Sequence, residues 1–264
     1  MYIKPYDELT IQDNFIFQKV MRNKRICKQT IERLLDIDIK DISYPEEEKS
    51  INVRLDSKSI RLDVYVNDDK GTVFNIEMQT TKDMDELVKR ARYYQGLIDI
   101  DNIEKGQNYS ALHDTYIIFI CTFGVFTGKR HKYTFRNLCI EDSEILLNDG
   151  TTKLFLSTKG EADDVSKPLK MFLDYVDGKK PEDALMQEID HEVYTVKHCD
   201  EWRRDYMTLA LEMDKKWREG KAEGKAEGKI EAIRNAIKDG LTTLAAVKKS
   251  GRYTEEEIAA IAAP

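Results

Sequence analysis

Two runs of alternating apolar and polar residues, 61–66 and 74–79, flank a short turn and predict a β-hairpin. The turn, 69–71, ends in a glycine, which takes the left-handed conformation of a three-residue loop without steric cost. In that register Asp68 lies opposite Thr72. A two-residue loop would shift the register by one residue and pair apolar positions with polar ones, so the pattern favours the three-residue loop.

This register divides the hairpin into an apolar face and a polar face. The apolar face holds Leu62, Val64, Val66, Phe74, Ile76 and Met78. On the polar face Asp63 lies opposite Glu77, with their Cβ atoms about 4.5–5.5 Å apart. Two carboxylates this close repel each other unless a cation or a proton lies between them, and oxygen ligands on an open face suit Mg²⁺ or Mn²⁺. The alternative is a solvated face whose charges pair with Arg61 and Lys70.

The composition describes a chain with a substantial core and an acidic total charge. Its 264 residues are 41% hydrophobic and 34% charged, and the formal net charge is −7. No run approaches the roughly 18 apolar residues of a membrane span, and the first residues lack the apolar core of a signal peptide, so we expect a cytoplasmic protein without membrane contact. The negative charge argues against a general cationic nucleic-acid binder, but a bound metal can offset negative charge locally.

The cysteines and the short catalytic motifs exclude several classes of protein. Cys27, Cys121, Cys139 and Cys199 are scattered without a CxxC pair, which indicates free thiols rather than disulfides or zinc ligands. The four histidines lack metal-site spacing. The sequence contains no GxSxG, Walker A or GxGxxG motif, which weakens hydrolase, NTPase and dinucleotide-binding interpretations.

The hydrophobic pattern predicts a mixed sheet with helices packed against it. A helix over 10–36 is expected to begin at Thr10 as its N-cap, and the acidic run 46–48 is expected to be a solvated connection. Chain order then predicts up to three antiparallel strands in 51–79, a helix at 83–104, a strand at 116–123 buried on both faces, shorter strands at 132–139 and 152–157, and helices from about 167 onward.

A repeat of Glu, Gly, Lys and Ala occupies 219–229. In a helix its period of four stacks like charges, and each glycine costs roughly 1 kcal/mol relative to alanine. Two alternatives follow: a flexible charged linker, or a helix whose glycine stripe lets a second helix approach closely and so implies self-association. After the repeat, 230–263 predicts a small helical unit with a stop at Gly240 and a last helix capped at Thr254.

These segments together resemble a known nuclease family. The hairpin motif in 61–79 resembles that of the PD-(D/E)XK nuclease superfamily, and within it the chain most resembles the Rpn group of recombination-promoting nucleases or putative transposases. Residues 13–21 resemble that group's first helix, 90–95 its helix after the motif, and the Glu-Gly-Lys repeat its C-terminal region.

The resemblance implies an α/β fold with a PD-(D/E)XK restriction-endonuclease-like core, in the order αβββαβ, and a helical C-terminal region. We expect a nuclease-like domain at 1–165, a helical extension at 166–218, and the repeat with its small helical unit at 219–264. The implied activity is Mg²⁺- or Mn²⁺-dependent hydrolysis of DNA phosphodiester bonds, linked to recombination or transposition. The alternative is a catalytically weak or inactive nuclease fold that binds DNA or a partner and forms homo-oligomers through its C-terminal helices.

The resemblance also implies roles for individual residues. Asp63 and Glu77 would bind the metal, and Gln79 would take the place of the superfamily's lysine, orienting water or phosphate by hydrogen bonds without lysine's charge. Asn14 stands where the group has an acidic residue, so its neighbour Asp13 is the candidate there, although an acid near a helix start also has a structural reason. Arg90 and Arg92 are candidates to contact phosphate or steady the acidic cluster, with a solvated helix face as the alternative.

Overall fold

The computed structural model describes residues 2–44, 46–51 and 60–263, with the side chains of 46–48 left out. The chain divides into two compact units. One is Pro5–Arg203, and the other comprises Met1–Lys4 and Arg204–Pro264. No helix in the described part of the chain is both long enough and apolar enough to cross a membrane.

The first unit is built on a six-stranded mixed sheet. Its strands are β1 (Glu46–Ile51), β2 (Ile60–Asn67), β3 (Val73–Gln79), β4 (Thr115–Cys121), β5 (Lys132–Phe135) and β6 (Thr151–Ser157). They lie in the order β1-β2-β3-β4-β6-β5. The pairs β3–β4 and β4–β6 are parallel, and the other neighbours are antiparallel. The predicted mixed sheet is confirmed.

The hairpin of β2 and β3 has the predicted loop and register. Gly71 has a φ of 86°, and the backbone N–H of Asp68 donates to the carbonyl of Thr72 over 3.0 Å. The Asp68 carboxylate accepts from the backbone N–H groups of Lys70 and Thr72 at 2.9 and 2.8 Å, which fixes the turn. Val64 lies opposite Ile76 and Tyr65 opposite Asn75.

The acidic run is not the solvated connection that the sequence predicts. Glu46–Ile51 is strand β1, which pairs antiparallel with β2 from Glu46 opposite Tyr65 to Ile51 opposite Ile60. β1 is the edge strand of the sheet, a position at which a charged sequence is tolerated. The three antiparallel strands predicted within 51–79 are therefore β1, β2 and β3, and the first of them begins earlier than predicted, at Glu46. Residues 52–59 fall outside the described residues.

Helix α3 (Met84–Asn102) covers an aromatic layer of the sheet. Its N-cap is Asp83, whose carboxylate accepts from the backbone N–H of Glu86 at 3.0 Å. The inward face of α3 consists of Leu87, Ala91, Tyr94 and Ile98, which are buried, and Met84, which is partly buried. Strand β4 is buried on both faces as predicted, and its Phe119 ring stacks 5.4 Å from that of Phe155 and 6.4 Å from that of Tyr94.

The predicted single helix over 10–36 is wrong, because two helices occupy it: α1 (Asn14–Met21) and α2 (Lys24–Leu35). Asn23 separates them because its side chain accepts from the backbone N–H of Ile26, and so starts a new helix. Thr10 is not an N-cap. Helix α1 begins after Asp13, whose carboxylate accepts from the backbone N–H and hydroxyl of Thr10 at 2.7 and 3.2 Å.

From Lys167 onward, all the named elements of the chain are helices. The helices are α4 (Lys167–Val176), α5 (Ala184–Lys197), α6 (Asp200–Lys238), α7 (Leu244–Lys249) and α8 (Glu255–Ala262). Helix α6 continues through the Glu-Gly-Lys repeat, so the segment is helical and the linker alternative is wrong. The approach of a second helix along the glycine stripe stays a prediction. Gly240 follows α6 with a φ of 73°, and Thr254 with Glu257 forms the capping box that begins α8, both as the sequence predicts.

Candidate active site

The two predicted acidic residues lie buried at one end of the hairpin. Asp63 on β2 is 6% exposed and Glu77 on β3 is 5% exposed, while Asn75, two residues before Glu77, is fully buried. A carboxylate without water needs a proton, a hydrogen-bond donor or a cation to compensate its charge. The alternative of a solvated face is therefore wrong, and the pair needs such compensation from its surroundings.

Backbone donors supply part of that compensation across the two strands. The described pairing of β2 with β3 runs from Asn67–Val73 to Val64–Ile76. Beyond it, the backbone N–H of Asp63 donates to Oε1 of Glu77 at 3.1 Å, and the N–H of Met78 donates to Oδ2 of Asp63 at 3.1 Å. The carboxylates thus accept from strand N–H groups just past the described backbone pairing, and the backbone fixes their positions.

Helix α1, which packs against β2 and β3, adds two carboxamides to the site. Nε2 of Gln18 donates to Oδ1 of Asp63 at 2.9 Å, and Nδ2 of Asn14 lies 3.5 Å from the same oxygen. Sequence reasoning missed Gln18. The available signal was its spacing, because Asn14 and Gln18 are four residues apart and share one face of the helix.

Asp13 lies next to Asn14 but has a different described role. Its carboxylate accepts two hydrogen bonds from Thr10, in the turn that leads into α1. The structure thus brings Asn14 and Gln18 to Asp63, and gives Asp13 a structural role at the start of the helix.

Gln79 and Arg90 form the third part of the site. Nε2 of Gln79 donates to the carbonyl of Thr81 at 2.9 Å, and Nη2 of Arg90 donates to Oε1 of Gln79. The guanidinium carbon of Arg90 lies 5.3 Å from the centre of the Phe119 ring. Arg92 is exposed and lies about 200° round α3 from Arg90, so the structure brings one of the two candidate arginines to the site.

The electrostatics of the pair centre on Glu77. Burial raises the pKa of Glu77 well above its ordinary value, and the nearby charge of Asp63 raises it further. The hydrogen bond from the Asp63 N–H, the Arg90 guanidinium and the Asn75 carboxamide act in the opposite direction. In the folded protein without a cation, Glu77 therefore holds a proton at pH values where an ordinary glutamate is ionised.

A groove of about 670 Å³ opens beside these residues between the start of β2 and the face of α3. Arg61, Lys89 and Arg90 line it together with the aromatic rings of Tyr93 and Tyr94 and with acidic residues of the first turn of α3. Arg90 also lines a smaller pocket of about 190 Å³ with Gln79 and Thr81. Arg90 thus connects the groove to Gln79, which lies two residues after Glu77 on β3.

The donor set fits one class of metal ion. Two carboxylates with neighbouring carboxamides offer only oxygen ligands, and the described residues include no group of three His, Cys, Asp or Glu side chains that could hold a metal. Mg²⁺ and Mn²⁺ accept such sites because they keep several water ligands. The residues therefore fit a hard divalent cation bound through Asp63 and Glu77.

Comparison with known protein families decides the wider relationship. The family model of the PD-(D/E)XK nuclease family transposase matches residues 14–159, more than half of the chain. The chain belongs to this family. The match runs from α1 through β6 and includes the acidic hairpin, so it confirms the PD-(D/E)XK fold expected from the sequence and makes this a nuclease-fold protein. No curated protein and no solved structure matches this member of the PD-(D/E)XK nuclease family transposases.

Proposed function

We propose that this protein is a divalent-metal-dependent endonuclease that hydrolyses DNA phosphodiester bonds, with Asp63 and Glu77 as its metal ligands and a role in recombination or transposition. One observation carries the proposal: two buried carboxylates on paired strands, one with a raised pKa, lie in a chain of a nuclease family. Burial raises the pKa of Glu77 most, and a divalent cation would offset the repulsion from Asp63 that adds to this effect. The wider role rests on the family description alone.

The chain's own residues would orient the reaction. When bound, Mg²⁺ or Mn²⁺ lowers the pKa of a water ligand and neutralises charge on the phosphate. The backbone N–H groups of Asp63 and Met78 hold one oxygen of each carboxylate, Oε1 of Glu77 and Oδ2 of Asp63. Gln18 holds Asp63 from α1, so the ligands are positioned before the substrate arrives.

The test is nicking of supercoiled plasmid DNA with Mg²⁺ or Mn²⁺. Glu77→Gln and Asp63→Asn keep the side-chain shape and one acceptor oxygen but remove the charge, so both should abolish nicking. Glu182→Gln, at an exposed position just before α5, is the matched control and should cleave like the wild type. Equal nicking by the wild type and Glu77→Gln would refute the proposal.

A second candidate function is a nuclease-fold module that binds DNA or a partner without cleaving. It is favoured by the carboxamides of Gln79, Asn14 and Gln18, because none of them brings charge to the site. Calorimetric titration with Mn²⁺ separates the two functions. The endonuclease should bind Mn²⁺ in a manner that Asp63→Asn abolishes, whereas the module predicts no heat that depends on Asp63.

We further propose that α6 pairs with α6 of a second copy of the chain. None of its 39 residues is buried, and Met207, Leu211, Met213 and Trp217 are exposed on it. In the repeat, the stripe of Gly220, Gly224 and Gly228 has glutamates about 100° to one side and lysines about 100° to the other. Two such stripes facing in parallel place each glutamate flank against the partner's lysine flank, while an antiparallel pair would oppose like charges.

Multi-angle light scattering of the full chain tests this pairing. Gly224→Leu should reduce the dimer although it favours the helix, because the side chain blocks close approach. Ala222→Leu, about 200° round the helix, is the matched control and should leave the dimer intact. A monomeric wild type, or an unchanged dimer in Gly224→Leu, would overturn the proposal.

A further inference from the structure

With Asp63 and Glu77 both ionised around a cation, a DNA phosphate brings further negative charge, which a positive side chain of this protein would offset. Gln79 lies two residues after Glu77 on β3, but its carboxamide is neutral. Both of its polar atoms already have partners, Nε2 with the carbonyl of Thr81 and Oε1 with Arg90. Gln79 therefore brings no charge of its own, but its Oε1 holds the charged guanidinium of Arg90 beside β3.

Arg90 is held in place without being neutralised. Its guanidinium bonds to Gln79 and lies over the rings of Phe119 and Tyr94, at 5.3 and 5.8 Å from their centres. Within the described residues it has no carboxylate within 4.0 Å, and its Nε is buried without a hydrogen-bond partner. A buried donor costs free energy unless a ligand satisfies it.

The position of Arg90 connects Gln79, two residues after Glu77 on β3, to the open groove. It lines both the groove of about 670 Å³ and the smaller pocket beside Gln79. Arginine offers a planar fork of donors that fits the oxygens of a phosphate.

We propose that Arg90 is the phosphate-contacting catalytic residue of this site, supplying from α3 the positive charge that the hairpin lacks. Gln79 is then a positioning residue that fixes one arm of the guanidinium, while the remaining donors bind a non-bridging oxygen of the scissile phosphate. The inference rests on the proposed endonuclease function for the cleavage step, but the phosphate contact stands independently of cleavage.

The first measurement is the salt dependence of duplex DNA binding with Ca²⁺ in place of Mg²⁺. Loss of one phosphate contact lowers the slope of log K against log salt concentration by about 0.9. Arg90→Met should show that loss. Arg92→Met, exposed on the same helix, is the matched control and should keep the wild-type slope. An unchanged slope in Arg90→Met would overturn the contact.

The second measurement is the rate of plasmid cleavage with Mg²⁺. Arg90→Met should lower kcat by about 10²-fold or more, the usual cost of losing a donor to transition-state charge. Gln79→Lys in the Arg90→Met background should recover activity, because lysine then carries the charge from the hairpin itself. A purely structural role for Arg90 predicts no recovery, and such a result would overturn the catalytic role.

The two measurements separate this inference from the function on which it rests. If the wild type does not cleave DNA, the endonuclease proposal fails while the salt slope still decides the phosphate contact. If the wild type cleaves and Arg90→Met cleaves at the same rate with an unchanged melting temperature, the endonuclease proposal stands and the role of Arg90 is refuted.

Discussion

The backbone N–H of Asp63 lies 3.1 Å from Oε1 of Glu77 and donates a hydrogen bond to it. In return, the carboxylate of Asp63 accepts from the N–H of Met78, the next residue along β3. The side chains proposed to bind metal therefore also hold the two strands together. Alanine substitutions here would remove structure as well as charge, so substitutions by the matching amide test the chemistry more cleanly.

Glu77→Gln should stabilise the metal-free protein at neutral pH. The folded-state pKa of Glu77 is raised, so between its ordinary value of 4.5 and the folded value the native state binds more protons than the unfolded state. Wild-type stability therefore falls as pH rises through that window, by up to about 1.4 kcal/mol per pH unit. Glutamine has no such dependence, so its advantage should grow with pH.

Urea unfolding in EDTA at several values between pH 5 and pH 8 measures this difference. Glu86→Gln, which replaces an exposed carboxylate on α3, serves as the control and should show no comparable trend with pH. A wild type more stable than Glu77→Gln at pH 8 without metal would contradict the prediction.

Gln18→Glu should make folding depend on a divalent cation. The change removes the donor 2.9 Å from Asp63 and places a third carboxylate at a buried position. Without metal we expect a loss of about 1–3 kcal/mol. With Mn²⁺ the added ligand should give a larger rise in melting temperature than in the wild type.

Thermal melts with EDTA and with Mn²⁺ test the change at Gln18. Gln29→Glu on α2, at a partly exposed position, adds the same charge away from the site and should respond to Mn²⁺ like the wild type. A Gln18→Glu variant with no extra response to Mn²⁺ would mean that α1 does not face the metal position.

Gly71→Ala should destabilise the hairpin by about 1–2 kcal/mol or more. Gly71 has a positive φ, and an added Cβ would lie 2.6 Å from the ring of His113. Gly96 in α3 is the opposite case, because a Cβ there meets no atom within 4 Å, so Gly96→Ala should stabilise by roughly 0.5–1 kcal/mol. Chemical denaturation of both variants measures the contrast, and equal effects would contradict it.

The cysteines should differ in reactivity in the native protein. Burial raises the pKa of both Cys27 and Cys121 to about 12, so these thiols stay protonated and covered at pH 8. Cys139 and Cys199 are partly exposed. Mass spectrometry after brief maleimide treatment should find label on the exposed pair, and on all four after unfolding. Native labelling of Cys27 would contradict the packing of α2.

The predictable parts of the fold are those that local chemistry decides. Asp68 and Gly71 set the turn and with it the hairpin register. The side-chain hydrogen bond of Asp68 and the positive φ of Gly71 both lie within four residues of each other, so the local sequence is enough to predict them. The start of α1 was harder to predict, since Thr10 and Asp13 are both good N-cap residues and the helix begins after Asp13. The strand at Glu46–Ile51 was missed because its pairing with β2, rather than its own composition, defines it.

The site was predictable to the extent that it lies on one hairpin. The hairpin register alone places Asp63 opposite Glu77. The contact of Gln18 with Asp63 joins residues 45 positions apart, and local sequence patterns do not predict such a contact. The choice of Arg90 over Arg92 likewise depends on how α3 faces the sheet. A single sequence contains the helical period but does not say which face meets Gln79.

The repeat within α6 also constrains how the chain can change in length. Each four-residue unit of an α-helix adds about 6 Å and about 40° beyond a full turn. Gain or loss of one Glu-Gly-Lys-Ala unit would therefore move α7 and α8 along and around the axis of α6 by a fixed step, and would keep the order of the charged stripes. The number of repeat units therefore sets the distance and the angle between the two ends of α6 in fixed steps, and insertion or deletion of whole units changes both without any new type of side chain.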